Sequence, residues 1–175
     1  MKTTVLKFFT LSVAIFAFSN ISFGQNSAEA TASAGANIIS PLTITKGTDL
    51  HFGDLVPSTT ESVTVVMGQS GTITSEAQYY LSTGTRTAAS FTITGAADHT
   101  YKINCPATVT LAGQGDAAGS TMTLTFDPNL SITGTSITMP SSGTETLNLG
   151  GSLVLAANQA SGTYTVDFDV TVAYE

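Results

Sequence analysis

The residues best able to do chemistry are few and lie far apart in the sequence. The two histidines, His51 and His99, stand in separate turn-like stretches, and neither has neighbours at the spacing of a metal site. Asp98 directly precedes His99, but it does so in a stretch that is typical of a solvated turn. An enzyme needs a nucleophile with its base, a metal cluster or two carboxylates in a cleft. We therefore expect no enzymatic activity, no catalytic residue, no metal and no cofactor.

Two further features have simple structural interpretations. Asp167 and Asp169 could in principle share a calcium ion. On a strand whose opposite face is apolar, however, they more simply keep an edge soluble and discourage unwanted pairing. The Gly150-Gly151 pair is followed by neither a helix nor a lysine, so it predicts a kink between strands rather than a phosphate-binding loop.

Cys105 is the one cysteine of the chain, so no internal disulfide is possible. It follows Tyr101 and Ile103 at alternate positions, which predicts a buried thiol on a strand. An exposed redox or linking thiol is the alternative. An exported domain without a disulfide must depend on its core or on a partner strand for durability.

Composition and charge exclude several classes of partner. The chain has 5 Lys and Arg against 12 Asp and Glu, a formal net charge of −7, and only 10% charged residues. Such a chain cannot neutralise a phosphate backbone, so we expect no nucleic-acid partner. The same argument disfavours an anionic membrane surface. Abundant threonine, serine, glycine and alanine favour strands over helices.

The first 24 residues have the pattern of a secretory signal peptide. Lys2 and Lys7 form a basic start, residues 8–18 form a short apolar run, and Ser22-Phe23-Gly24 places small residues at a cleavage site before Gln25. Eleven residues are too few to cross about 30 Å of hydrocarbon, so we expect cleavage and no membrane span in the mature chain. Loss of the two lysines brings the formal charge of the mature chain to about −9. We expect export through a periplasm to the cell surface or medium.

Period-two alternation of apolar residues recurs along the mature chain and predicts six to eight strands. Short strands separated by turn residues about every ten positions indicate an all-β, immunoglobulin-like antiparallel β-sandwich. The last strand has the most regular alternation, and its predicted apolar face consists of Tyr164, Val166, Phe168, Val170, Val172 and Tyr174.

A second alternating segment lies directly after the leader, in an N-terminal extension that spans residues 25–38. Its apolar positions are Ala28, Ala30, Ala32, Ala34, Ala36 and Ile38. Alternation over six positions makes a flexible spacer a poor interpretation. It does not decide whether these residues form the first strand of their own domain, residues 39–175, or a strand donated to another copy.

Several motifs together resemble a secreted domain family of unknown function that is related to spore coat protein U and to the archaic chaperone–usher pilins. They are Leu50-His51-Phe52-Gly53, Gly150-Gly151-Ser152-Leu153 and the Gly162-Thr163-Tyr164 entry to the last strand. The end of the chain also resembles a general pilin signature, with a penultimate tyrosine, Tyr174, and a glycine fourteenth from the end, Gly162. The paired cysteines of spore coat protein U are missing.

This resemblance implies a sandwich that lacks its closing strand and exposes a groove beside the last strand. It also implies that a periplasmic chaperone fills the groove first, and that the N-terminal extension of another copy or related subunit then replaces it at an outer-membrane usher. Strand addition of this kind depends on backbone hydrogen bonds and on alternate side chains. The expected function is that of a structural subunit of a surface fibre or pilus-like polymer, with residues 28–38 as donor strand. The alternative is a monomeric secreted module that binds a glycan or a host protein.

Overall fold

The computed structural model describes residues 27–75, 77–126, 134 and 136–175. The predicted signal peptide, residues 1–24, and the predicted new N-terminus lie outside the described residues. The chain divides into two compact units, Met1–Asn37 and Ile38–Glu175. In the first unit, the described residues 27–37 are exposed and adopt neither helix nor strand. Within the described residues, no helix has the length and apolar character needed to cross a membrane.

The second unit is built from short β-strands joined by turns. Two single-turn 3-10 helices, Ala77–Tyr79 and Gly115–Ala117, interrupt the strands. The described strands are β1 (Thr43–Thr48), β2 (Val63–Met67), β3 (Ala89–Thr94), β4 (Thr100–Asn104), β5 (Thr108–Gln114), β6 (Thr121–Phe126), β7 (Ser136–Thr138), β8 (Thr144–Leu149), β9 (Gly151–Leu155), β10 (Thr163–Thr165) and β11 (Thr171–Tyr174).

The strands form three antiparallel sheets around one apolar core. Their orders are β1-β3-β8, β10-β5-β6-β9-β2 and β11-β4-β7. The predicted all-β antiparallel sandwich is confirmed. Threonines occupy many outward positions, where a β-branched side chain fits the pleat and its hydroxyl stays in water.

Period-two alternation decides which side chains enter the core. In β2, Val63, Val65 and Met67 are buried while the residues between them are exposed. β4 and β6 repeat this pattern because successive side chains of a strand point to opposite faces. The core also takes in Ile93, Leu149 and Leu153, which are 2% exposed or less.

Gly150 stands where one continuous run of chain changes sheets. β8 ends just before Gly150 and pairs with β3. β9 begins just after Gly150 and pairs with β2 and β6 in another sheet. A Cβ atom at Gly150 would lie 2.3 Å from the carbonyl oxygen of Met67, so only glycine fits this close backbone approach. The predicted kink at the glycine pair is confirmed.

The C-terminal segment, residues 163–174, is divided between two sheets rather than forming the single predicted strand. β10 pairs with β5, and β11 pairs with β4. Thr165 lies opposite Ala112, and Thr171 lies opposite Asn104. The C-terminal segment has five residues between these two pairs, whereas the chain that runs from β4 into β5 has seven. Pro106 lies in this interval and has no backbone N–H to donate to a ladder.

A buried tyrosine ties the first and third sheets together. The side chain of Tyr101 is fully buried, and its hydroxyl donates a hydrogen bond of 2.5 Å to the Glu145 carboxylate. Burial, and then the bond to Glu145, raise the pKa of Tyr101 above its ordinary value. Because the two residues lie on β4 and β8, this bond links strands that are not neighbours in any sheet.

Candidate strand-acceptor groove

Each of the three sheets ends in two edge strands among the described residues, and three of these six edge strands are β1, β10 and β11. β1, β10 and β11 each lie at the end of their sheet, so each presents one edge of backbone N–H and C=O groups. We call the space between β1 with its continuation, residues 43–55, and the C-terminal segment the groove. No backbone hydrogen bond joins its two walls in the described chain.

Three observations place the two walls side by side and in opposite directions. At one end, the Tyr174 hydroxyl donates a hydrogen bond of 3.0 Å to the carbonyl oxygen of Ser40. In the middle, the Asp167 carboxylate contributes to the raised pKa of Lys46, after the larger effects of Asp49. At the other end, residues 50–55 and residues 162–164 line the same cavity. The residue numbers rise along one wall while they fall along the other.

The predicted apolar face of the C-terminal segment is only half-buried. Tyr164, Phe168, Val170 and Val172 are partly buried, and Val166 is 36% exposed. Tyr174 is partly buried as well. On β2, β4 and β6 the corresponding apolar positions are buried. The alternation along this segment is therefore as predicted, but its apolar face stays partly open to solvent.

The groove floor is apolar. The Phe168 ring packs on the Phe126 ring with centroids 4.7 Å apart, an arrangement typical of favourable aromatic contacts. On the opposite wall, Ile44 is also partly buried against the core, and so is Leu42, which directly precedes that wall. A strand with small apolar side chains on one face would complete this packing.

A cavity of about 370 Å³ lies at the Tyr164 end of the groove. Leu50, Phe52 and Leu55 line it from one wall, and Tyr164 lines it from the other. Its apolar floor comes from neighbouring strands of the largest sheet: Leu111, Met122, Leu153 and Leu155. The cavity therefore has an apolar floor at this end of the groove.

Gly162 and Tyr164 hold the rim of this cavity in place. The Tyr164 hydroxyl donates to the carbonyl oxygen of Ala160 at 2.7 Å and accepts from the Gln159 side chain at 2.8 Å. A Cβ atom at Gly162 would lie 2.6 Å from the Cβ of Ala117, so a larger residue would push the chain away from the neighbouring turn. This accounts physically for the Gly-Thr-Tyr motif.

The alternating segment of the extension is exposed along its length. Ala28, Ala30, Ala32, Ala34 and Ala36 belong to no strand, and Ile38 is 94% exposed. The observation does not decide whether the segment is donated, which stays a prediction.

The residues considered first for chemistry remain apart in the fold. His51 and His99 are exposed, and each ring Nδ1 contacts a backbone carbonyl, that of Thr85 and that of Ala97. Asp167 and Asp169 are both exposed. Among the described residues, no group of three or more histidines, cysteines or carboxylates could hold a metal ion.

Cys105 is buried, as its alternation with Tyr101 and Ile103 predicts, and it lies directly after β4 rather than on the strand. Burial raises the pKa of its thiol to about 11. At neutral pH this thiol is protonated and therefore a poor nucleophile.

A second cavity, of about 430 Å³, was not predicted from the sequence. It is lined by Gly71, Thr72, Ile73, Tyr80, Gly84 and Arg86. The Arg86 guanidinium lies over the Tyr80 ring, 5.1 Å from its centroid, in a cation–π contact. The two residues are six positions apart in an irregular loop, where no periodicity could signal that they meet.

The fold and the groove together define a class: an all-β sandwich domain with unpaired edges on either side of an apolar groove. A family model described as "Domain of unknown function (DUF4402)" matches residues 42–174. The chain therefore belongs to this family. No curated protein and no solved structure matches the chain.

Proposed function

We propose that this chain is a structural subunit of a surface fibre, in which residues 28–38 of one copy fill the groove of the next. One observation carries the proposal: the apolar face of the C-terminal segment is half-exposed between two unpaired strand edges. Such a surface is an aggregation hazard unless another strand covers it. An added strand would satisfy the backbone groups and bury the apolar side chains at the same time.

The alternating segment matches the groove in length and in pattern. Six alternate positions, from Ala28 to Ile38, stand against six on the C-terminal segment, from Tyr164 to Tyr174. Both stretches span about 34 Å at roughly 3.4 Å per residue. Mostly alanine side chains suit a groove whose floor is already partly covered by Phe168 and Leu42.

The expected energy of the contact is consistent with a durable polymer. The five alanine methyl groups and the four side-chain carbons of Ile38 contribute roughly 7 kcal/mol at ~0.8 kcal/mol per buried carbon. About ten backbone hydrogen bonds at ~1 kcal/mol each contribute a comparable amount. Part of this total offsets the entropy of ordering the extension. The backbone therefore matters at least as much as the side chains.

The resemblance to spore coat protein U and to archaic chaperone–usher pilins supports the same proposal and extends it. On this proposal the leader directs export, a periplasmic chaperone covers the groove in transit, and an outer-membrane usher is the site of assembly. The partners are other copies of the chain or related subunits, and the destination is the cell surface.

Arginine substitutions in the extension test the proposal. Ala32→Arg or Ala34→Arg places a long cation on the face that enters the groove, where an alanine-sized site cannot accept it. We expect these variants to lose the ladder of oligomers that wild-type protein forms in SDS before heating. The matched controls are Thr31→Arg and Ser33→Arg, which add the same charge on the opposite face and should retain the ladder.

Deletion of residues 28–38 provides a second measurement. The deleted chain should stay soluble only with a chaperone or with an added peptide of that sequence, because its groove is open. Full-length protein that stays monomeric at high concentration, with a fold that the deletion does not change, would contradict the fibre proposal.

A monomeric binding module is the second candidate, and the cavity beside Arg86 and Tyr80 favours it. A planar guanidinium next to an aromatic ring is suited to a carboxylate-bearing sugar or peptide. For this function, Arg86→Gln should abolish binding of acidic glycans on an array, while Lys46→Gln, which removes an exposed cation elsewhere, should not.

A further inference from the structure

We infer that the cavity beside Arg86 binds one acidic sugar residue through its carboxylate, and that this cavity stays open when the groove is filled. A fibre of this chain would then present one such site on every subunit. Binding to a single copy does not depend on the proposed fibre function, whereas presentation along a fibre rests on it.

Arg86 is the one cation of the described chain that forms no salt bridge there. The other two described cations are paired: Lys46 lies 2.8 Å from the Asp49 carboxylate, and Lys102 lies 2.6 Å from that of Glu175. The whole chain has a formal net charge of −7, so acidic groups are plentiful. An arginine that lines a cavity and has no acidic partner within the described chain is a candidate anchor for an anion from outside.

The loop that carries the ring and the guanidinium, residues 80–86, is held at both ends by backbone hydrogen bonds. Near its start, the Leu81 N–H donates to the carbonyl oxygen of Asp54 at 2.9 Å. Just after its end, His51 and Thr87 exchange two backbone hydrogen bonds of 2.8 and 2.9 Å. Because the loop is fixed before a ligand arrives, binding costs less conformational entropy.

The charge and shape of the cation favour a carboxylate over a phosphate. The guanidinium of Arg86 lies over the Tyr80 ring, 5.1 Å from its centroid. Stacking on a ring leaves the N–H groups in the guanidinium plane for two parallel hydrogen bonds to a carboxylate. A phosphate group carries nearly two negative charges at neutral pH. The Asp54 carboxylate, which lies beside Gly84 of the cavity wall, would repel the second charge.

The rest of the lining suits the hydroxyl groups and the apolar face of a sugar. Thr72 and Tyr80 both carry hydroxyls, and buried Ile73 provides apolar contact. Gly71 has a φ of +78°, and a Cβ at Gly84 would overlap a neighbouring backbone nitrogen, so neither position accepts a side chain. The volume of about 430 Å³ lies within the range of small-ligand sites, roughly 300–1,000 Å³.

The cavity beside Arg86 and the groove adjoin the same stretch of backbone without overlapping. Gly53 lines the cavity at the Tyr164 end of the groove. A Cβ at Gly53 would lie 2.8 Å from Cγ of Arg86, so the aliphatic part of the arginine packs against this backbone. The two cavities share none of their described lining residues. A strand that fills the groove therefore leaves the cavity beside Arg86 free.

Ligand-observed NMR titration of the mature full-length protein with galacturonate tests the site, because the method serves polymers and single copies alike. Galactose, the same sugar without the carboxylate, is the matched ligand and should not bind. Arg86→Gln should weaken galacturonate binding by about tenfold or more. Arg86→Lys should weaken it less, because lysine keeps the charge but lacks the planar fork. Lys46→Gln, which removes a cation outside the cavity, should change nothing.

Asp54→Asn provides a variant that gains affinity, which damage to the fold could not produce. Removing this like charge from the neighbourhood of the cavity should tighten galacturonate binding about threefold. No gain in affinity would contradict binding through the carboxylate. Absent galacturonate binding, equal binding of galactose, or wild-type affinity in Arg86→Gln would overturn the site. Triglycine that binds as tightly as galacturonate would overturn the assignment to a sugar and favour an acidic peptide.

A surface coated with polygalacturonate tests presentation along a fibre. When linked sites bind one polysaccharide chain, later contacts become intramolecular, so polymeric wild-type protein should dissociate roughly 100-fold more slowly than Ala34→Arg. Ser33→Arg, which adds the same charge but should retain the ladder, should dissociate as slowly as wild type. All three proteins should bind free galacturonate equally, because residues 33 and 34 lie outside the cavity.

The outcomes on this surface separate the inferred site from the fibre. Equally fast release of ladder-forming protein and of Ala34→Arg, with galacturonate binding intact, would overturn presentation along a fibre and leave the fibre function standing. Wild-type protein that forms no ladder would overturn the fibre function and presentation together. In that case the galacturonate titration alone decides the site on the single copy.

Discussion

Replacing Phe168 by aspartate tests the register of the C-terminal segment and the depth of the groove floor together. Phe168 is partly buried, and its ring contacts Phe126 with centroids 4.7 Å apart. The variant removes this contact and places a carboxylate on the apolar face. Thr171→Asp, on the exposed face of β11, introduces the same charge without touching the floor.

The size of the effect follows from the partial burial. Removing a fully buried phenylalanine costs about 3–5 kcal/mol. Half of that range, about 2 kcal/mol, is appropriate for a half-buried ring, and it includes the aromatic contact, worth about 1 kcal/mol. A carboxylate that can still reach water adds about 1 kcal/mol. We expect a loss of ~3 kcal/mol for Phe168→Asp and less than ~0.5 kcal/mol for Thr171→Asp.

Both variants are measured under one condition by urea denaturation of a subunit that lacks residues 28–38 and receives them instead as an added peptide. The denaturation midpoint should fall for Phe168→Asp with an unchanged slope, and the melting temperature should fall by roughly 10 °C. Binding of the peptide should weaken in the same variant, because the donated strand packs on that floor. Equal stability and equal peptide affinity for the two variants would mean that the register of residues 163–174 is wrong.

Three further predictions concern other parts of the chain. Mature protein should begin at Gln25, as N-terminal sequencing would report, whereas an intact Met1 in a membrane fraction would contradict cleavage of the leader. Tyr101→Phe should lower the free energy of unfolding by about 2 kcal/mol, because it removes one hydrogen bond to the charged Glu145. Since folding raises the pKa of Tyr101, the unfolded chain loses this proton first, and stability should fall as pH rises above 10. Tyr101→Phe should weaken that pH dependence, and an identical slope for both proteins would contradict it. Cys105, with a pKa raised to about 11 by burial, should react with a thiol reagent at pH 8 only after unfolding, and rapid labelling of native protein would be the contrary result.

Local pattern was enough to predict the strand character of the chain and the facing of several strands, although the six to eight predicted strands are fewer than the eleven described. Alternation places Val63 and Val65, or Met122 and Leu124, on the buried side because the side-chain period of a strand is two, whatever its neighbours are. The kink at Gly150 was predictable for a similar reason, since a glycine between two apolar runs marks a close backbone approach.

Pairing partners could not be predicted from the same pattern. The C-terminal segment pairs first with β5 and then with β4, strands that lie about sixty residues earlier in the chain and belong to different sheets. The bond from Tyr101 to Glu145 joins residues 44 positions apart on different sheets. The contact of Arg86 with Tyr80 arises in a loop without periodicity.

Alternation along the chain is enough to give residues 163–174 and residues 28–38 one apolar face each, because it depends only on the order of the amino acids. How deeply the apolar face of residues 163–174 is buried depends instead on the packing of the sheets. That depth depends on what lies across the groove. The sheets bring β1 and the C-terminal segment together from opposite ends of the domain and leave the edges that face each other unpaired. The cavity beside Tyr164 has the same origin, because its walls come from residues 50–55, 57, 111, 122, 153, 155 and 159–164, which meet only when the sandwich closes.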